Sequence, residues 1–296
     1  MLSISQSGNH FNYLNWIPTS SGPLINSVGS LSFDKPDFDS NQFYQNLFSS
    51  LIVKCNVNPP VISLSLDSSQ VSFSESLLDE PDSDGSILDW VSDLNYDSEF
   101  KNRFFTYSYP VNEENRKVIN IHYKKSRKDA IIEAVKNAGL DLRCLSIGIF
   151  SAEQCARFCY NADKLDSYLI WRIGGYHQNQ VILVRGGKLK SLIFFKQLEN
   201  SFSLQNFYGS RILTDELFSQ LEQCKNHDLS NLVLPEKIFI YSATGASPDF
   251  NEINNSNTNR VCHLNPLERI KSKTDKKGTF NYKFAESGPV FRGLDV

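Results

Sequence analysis

No apolar run in the sequence approaches the roughly 20 residues that a bilayer-spanning helix requires, which excludes such a helix. The opening residues, MLSISQSGNHFNYLNW, lack both a basic leader and a continuous apolar stretch, so no secretory signal is expected. The six cysteines are scattered and include no Cys-x-x-Cys pair, in a chain too long to depend on covalent staples. A disulfide framework and a thioredoxin-type redox motif are thereby excluded. Cys155 and Cys159 share a helix face, where such spacing is ordinary core filling. A Gly-x-Ser-x-Gly elbow, a Walker loop, His-Glu-x-x-His and clustered metal-ligand spacings are missing too, and with them the sequence signatures of serine hydrolases, P-loop nucleotidases and zinc proteases. The net charge of −3 argues against a general nucleic-acid binder.

What is present is a chain of 296 residues, enough for two ordinary domains or one large two-lobed one. Leu2, Ile4, Phe11, Tyr13 and Trp16 alternate around a Gln6-Ser7-Gly8-Asn9 turn, the pattern of a hairpin. Phe43, Leu47 and Leu51, joined by Tyr44 and Phe48, form a helical stripe after the capping candidates Asp39 and Ser40. Val61–Leu66 and Val71–Phe73 follow as strand segments. Ile87–Leu94 carries a short amphipathic helical pattern. Phe104–Tyr109 and Lys117–His122 are expected to pair antiparallel. A helix from Ser126 is expected to stop on Gly139 in the left-handed conformation. Leu142–Phe150 has the composition of a buried strand, and Ser151 begins a second capping box.

Residues 167–196 form the clearest stretch, with three apolar runs separated by Gly174-Gly175 and by Arg185-Gly186-Gly187-Lys188, the pattern of a β-meander. A helix over Thr214–Cys224 and a strand over Lys237–Tyr241 complete the second half, before an asparagine-rich stretch at Asn251–Asn259 that is expected to be irregular. Strand groups followed by sheet-covering helices thus occur twice. Charge is uneven: acids dominate from Asp67 to Glu114, whereas Arg116–Lys128 carries six basic residues and no acid. That run and Lys271–Lys283 are solvated faces or surfaces for an acidic partner or anionic lipid. Asp163 and Asp166 are turn formers.

The order of these elements resembles the PilM family of type IV pilus assembly proteins, the related cytoplasmic module of type II secretion, and more distantly the cell-division actin FtsA. The resemblance implies an α/β actin-like (ribonuclease H-like) two-lobed fold with duplicated mixed sheets. It places the first lobe at 1–165, with an inserted subdomain at about 60–140, and the second at 166–296. The family's first strand carries Asp-x-Gly-x-x-x-x-Lys, and Ser3, Ser5 and His10 stand in those places. The second phosphate motif, Asp-x-Gly in actin-like ATPases, is matched by Arg172-Ile173-Gly174-Gly175, and the adenosine turn by Ala243-Thr244-Gly245-Ala246. Asn265-Pro266-Leu267 and the Ala285–Leu294 segment resemble the family's closing motifs.

Ser3, Ser5, His10, Arg172, Gly174, Gly175 and Gly245 therefore mark a degenerate nucleotide cleft. An arginine in place of the acid can hold phosphate but repels magnesium, so hydrolysis is not expected. No catalytic residue and no metal is assigned. No cofactor is expected, with ATP left open. The resemblance implies a cytoplasmic scaffold at the inner face of the membrane, in a pilus or secretion platform. Its implied partner is the cytoplasmic tail of a PilN-like inner-membrane protein, docking between the first subdomain and the insert through Phe73, Tyr107, Tyr109, Lys124, Lys125 and Arg127. Nucleic acid is not an expected partner, and self-association stays open. The rival reading is an active actin-like ATPase or small-molecule kinase of the same superfold, which would need an acid that the motifs do not supply.

Overall fold

The computed structural model describes residues 1–20, 22–55, 61–77, 96–112, 117–174, 178–198, 201–223, 235–243, 260–273 and 284–288. Its first sheet opens with three antiparallel strands, β1 (Leu2–Ser7), β2 (His10–Thr19) and β3 (Gly22–Ser32). After helix α1 (Asn41–Cys55), strand β4 (Val61–Leu66) pairs parallel to β1. The two-residue strand period decides which side chains enter the core. Leu2 and Ile4 of β1, with Ile62 and Leu64 of β4, point to the face covered by α1, where Tyr44, Leu47, Phe48 and Leu51 are fully buried. Ser3, Ser5, Ser63 and Ser65 must then line the opposite face, and all four are buried there.

The insert is a three-stranded antiparallel sheet of β5 (Val71–Leu77), β6 (Phe104–Asn112) and β7 (Lys117–Lys124), with β7 central and a short helix α2 (Ser98–Arg103) before β6. Asp67 leads into it, accepting a hydrogen bond from the Ser69 backbone at 2.9 Å. Helix α3 (Lys125–Asn137) follows, its Ala130, Ile131, Ala134 and Val135 packed in the α1 core. Gly139 stops it at φ +67°, as expected. Strand β8 (Asp141–Ile147) pairs parallel to β4 and forms one edge of the first sheet.

Helix α4 (Gly148–Tyr160) crosses to the second lobe. There β9 (Ser167–Ile173), β10 (Gln178–Arg185), β11 (Lys188–Gln197) and β12 (Phe202–Gly209) form the expected meander. Gly186 and Gly187 both take positive φ in its second turn, as a two-residue hairpin loop requires. Helix α5 (Arg211–Gln223) covers the sheet, and β13 (Lys237–Ser242) and β14 (Val261–His263) add parallel strands beside β9. Both sheets thus share a plan: an antiparallel meander whose first strand is central, then two parallel strands on its other side.

Four expectations are corrected. The helix expected from Ser126 begins at Lys125 with no side-chain cap, because β7 runs directly into it. Ser151 does not cap α4; that helix begins at Gly148, and the Ser151 hydroxyl donates back to the Ile147 carbonyl at 3.0 Å inside the first turn. The strand expected over Leu142–Phe150 therefore ends at Ile147, at a sheet edge. The lobe boundaries also shift. β4 and α3 belong to the first-lobe core, which leaves the insert proper between Val71 and Lys124. The range 166–296 is not all second lobe: after helix α6 (Pro266–Arg269), strand β15 (Lys271–Ser272) pairs with β3. Leu267, Ile270 and Phe284 pack there on Leu14, Trp16 and Ile25, so burial of apolar side chains draws the chain's last described residues back to the first lobe. The Ile87–Leu94 and Asn251–Asn259 stretches lie outside the described residues.

Candidate functional site

Two of the places where elements of different lobes or subdomains meet bear on function. The first is the cleft between the lobes. Arg172 sits near the end of β9, in register with Tyr241 on the parallel neighbour β13. Its guanidinium is buried, and Nε donates to Glu286 Oε1 at 2.8 Å while Nη2 donates to Asp67 Oδ2 at 2.8 Å. The Tyr241 hydroxyl donates to the same Glu286 oxygen at 3.0 Å. Three separate parts of the chain converge here: Asp67 follows β4, Arg172 belongs to the second lobe, and Glu286 lies in the closing segment 284–288.

The serine face of the first sheet holds that segment by its backbone. Ser3 Oγ donates to the Ser287 carbonyl at 3.1 Å, Ser65 Oγ to the Glu286 carbonyl at 2.9 Å, and Ser65 shares a 2.6 Å hydrogen bond with Ser151 of α4. Two glycines make the fit possible. A Cβ on Gly148 would stand 2.4 Å from the Glu286 carboxyl carbon, and one on Gly288 would stand 1.9 Å from the Ser151 carbonyl oxygen. Burial pushes the Glu286 carboxyl up, and the nearby Arg172 offsets this only in part. For Asp67 burial also raises the value, but Arg172 and the Ser69 hydrogen bonds outweigh it and hold this carboxyl below its ordinary range. Burial and the Glu286 charge push the Tyr241 hydroxyl far up, so it stays a donor.

The second place is a groove of about 390 Å³ between the insert and the first lobe. It runs between β6, an edge strand of the insert sheet, and β8, an edge strand of the first sheet. Alternation puts Phe105, Tyr107 and Tyr109 on one face of β6, opposite Tyr123, Ile121 and Ile119 of β7. Tyr109 stacks on Phe150 of α4 at 5.5 Å, while Phe105 and Tyr107 remain 38% and 47% exposed. Lys128 of α3 holds its ammonium 3.7 Å from the Phe105 ring centre. On the other face of the sheet, Thr106 of β6 and Ser74 of β5 flank a buried His122 of β7 at 2.9 and 2.8 Å.

The sequence-derived site residues divide accordingly. Ser3 and Arg172 are joined through the adjacent residues Ser287 and Glu286, and Ser5 is buried in the same strand as Ser3. His10 is exposed and bonds Ser32 at 2.7 Å. Gly174 donates its backbone N–H to Gln178 at 2.7 Å, closing the β9–β10 turn. Gly175 and Gly245 lie outside the described residues. Tyr107 and Tyr109 line the groove. Phe73 does not: it is wedged against Phe194 and Tyr208 of the second lobe. Lys124 faces Asp39 at 3.4 Å, and Arg127 pairs with Asp39 at 3.1 Å while donating to the Phe38 and Gln70 carbonyls. Arg127 thus ties a loop down, and Lys125 starts α3.

The motifs missed Asp67, Glu286 and Lys128. Asp67 had one signal, an acid directly after a buried strand, and Glu286 another, a lone acid among small and apolar residues. Among the described residues no group of three or more His, Cys, Asp or Glu side chains is placed to hold a metal, and no helix is long and apolar enough to cross a membrane.

No family model matches the sequence, and no curated protein does either. Solved structures do match. A chain of a PilM–PilN type IV pilus biogenesis complex aligns over 100% of this chain and 98% of its own, with a TM-score of 0.63 at 12% identity. The cytoplasmic domain of EpsL, an inner membrane component of the type II secretion system of Vibrio cholerae, aligns over 81% of each chain, with a TM-score of 0.41 at 10% identity. A Bacteroides thetaiotaomicron protein with an actin-like ATPase fold aligns over 92% of this chain and 89% of its own, with a TM-score of 0.41 at 13% identity. The fold is actin-like, two-lobed, with duplicated mixed sheets and an inserted subdomain.

Proposed function

We propose that the chain is an actin-like scaffold of a type IV pilus or type II secretion-like platform, which binds the cytoplasmic tail of a PilN-like membrane partner without hydrolysing ATP. The observation that carries this reading is the groove between β6 and β8. It offers exposed aromatic rings to an apolar segment and two strand edges with backbone groups to share. The likeness to a chain of a PilM–PilN type IV pilus biogenesis complex supports the class of partner. Such a scaffold works at the inner face of the cytoplasmic membrane.

The cleft supports the second half of the proposal. Phosphoryl transfer needs carboxylates free to hold magnesium and room for the phosphates. Here both carboxylates of the cleft are engaged by Arg172, and the closing segment stands between the two altered phosphate motifs. The residues present do not fit a bound Mg-ATP.

The test is fluorescence anisotropy with labelled peptides copying the cytoplasmic tails of pilus and secretion inner-membrane proteins. Saturable binding should weaken at least tenfold in Tyr107→Ser, a loss insensitive to salt, and should become salt-dependent in Lys128→Glu. Equal affinity for the wild type and both variants would remove the groove from consideration.

A further inference from the structure

We infer that the cleft is an oxyanion receptor occupied in cis, with the Glu286 carboxylate of the closing segment as its internal ligand. This does not rest on the scaffold reading. The receptor is the buried guanidinium of Arg172 and the hydroxyl of Tyr241, both donating to one carboxylate oxygen, with the bare Cα of Gly148 leaving the space that the carboxylate fills. Donors converging on one anion oxygen, with a glycine at the point of closest approach, are the chemistry that recognises a phosphate or a carboxylate group.

The rest of the segment is held as a ligand is held. Its backbone carbonyls at 286 and 287 accept from Ser65 and Ser3, and Gly288 lies too close to the Ser151 carbonyl for any side chain. Asp67 holds the far side of the guanidinium, so the arginine links the first lobe to the second through Asp67 and to the closing segment through Glu286. The internal ligand therefore does two things: it excludes external oxyanions and it fastens the lobes together.

Inorganic phosphate is the probe. Thermal unfolding of the full-length chain should be the same in phosphate as in chloride of equal ionic strength, because the receptor is filled. In Glu286→Ala the carboxylate is gone while Arg172, Tyr241 and Gly148 remain. Phosphate should then raise the unfolding midpoint saturably, by about 3 °C for each tenfold increase above its dissociation constant. Glu286→Gln, which keeps the space filled with a neutral group, should show no such rise, and adding Tyr241→Phe to Glu286→Ala should weaken the phosphate response. If Glu286→Ala does not fold, Glu286→Ser, which keeps a small hydrogen-bonding side chain, takes its place. Absence of a phosphate-specific rise in the variant that folds, or failure of both to fold even in phosphate, would overturn the inference. So would a wild type that responds as strongly as the variant.

Discussion

The inter-lobe cleft and the β6–β8 groove both set a basic side chain among aromatic or phenolic ones, yet they have opposite fates. In the cleft, Arg172 is buried between two carboxylates and a tyrosine, and the chain itself supplies the occupant. In the groove, Lys128 lies over the Phe105 ring, and Phe105 and Tyr107 keep more than a third of their surface. Exposure, not residue type, separates a structural cluster from a binding surface here. A buried cation needs its partners to remain folded, whereas an exposed ring is free to find one elsewhere.

That contrast is broken most forcefully at Arg172. Arg172→Ala leaves Glu286 and Asp67 buried beside each other without a counter-charge and should cost about 3–5 kcal/mol, read from the urea midpoint. A loss under about 1 kcal/mol would mean that water enters the cleft and the lobes are not fastened there. Next is Gly288→Ala, expected to cost about 1–3 kcal/mol, because the added methyl meets backbone that cannot step aside. Stability unchanged in that variant would show that the segment sits loosely.

The pH dependence is a finer probe. Glu286 faces Arg172 from β9, Asp67 beyond β4 and Tyr241 from β13. Its folded value lies above the ordinary 4.5, so its contribution to stability is lost as pH rises through that value and fully present below 4.5. Asp67 lies below its ordinary 3.8, so its contribution holds above 3.8 and is lost as pH falls through its folded value. Relative to Glu286→Gln, the wild type should therefore gain stability as pH is lowered from neutral toward 4.5. Parallel profiles for the two proteins would contradict the assignment. The smallest effect belongs to the groove: Tyr107→Ser and Lys128→Ala should each change stability by less than about 1 kcal/mol. A larger loss would make the groove a structural seam and shrink its contrast with the cleft.

How much of this was legible depended on range. Local periodicity exposed the meander, the α1 stripe and the β6–β7 pair, because the strand and helix periods are written in neighbouring residues. The serine faces of β1 and β4 were also visible as LSISQS and VISLSL, although what they hold was not. The cleft cluster escaped because Arg172 lies 105 residues from Asp67 and 114 from Glu286, and no local pattern joins them. Arg127 was misplaced for a related reason. A basic run looks solvated until the fold brings Asp39 and the Phe38 and Gln70 carbonyls around one of its members. Phe73 went astray because β5 presents it to the second lobe, a contact set by how the insert leans rather than by its own strand.

The contrast between a filled cleft and an open groove is tested most directly by calorimetric titration of the wild-type chain with Mg-ATP. No binding heat beyond dilution is expected, because Glu286 and its segment stand where phosphates would have to enter. A saturable heat, abolished by Arg172→Ala in a variant shown to remain folded, would contradict it and make the cleft a nucleotide site.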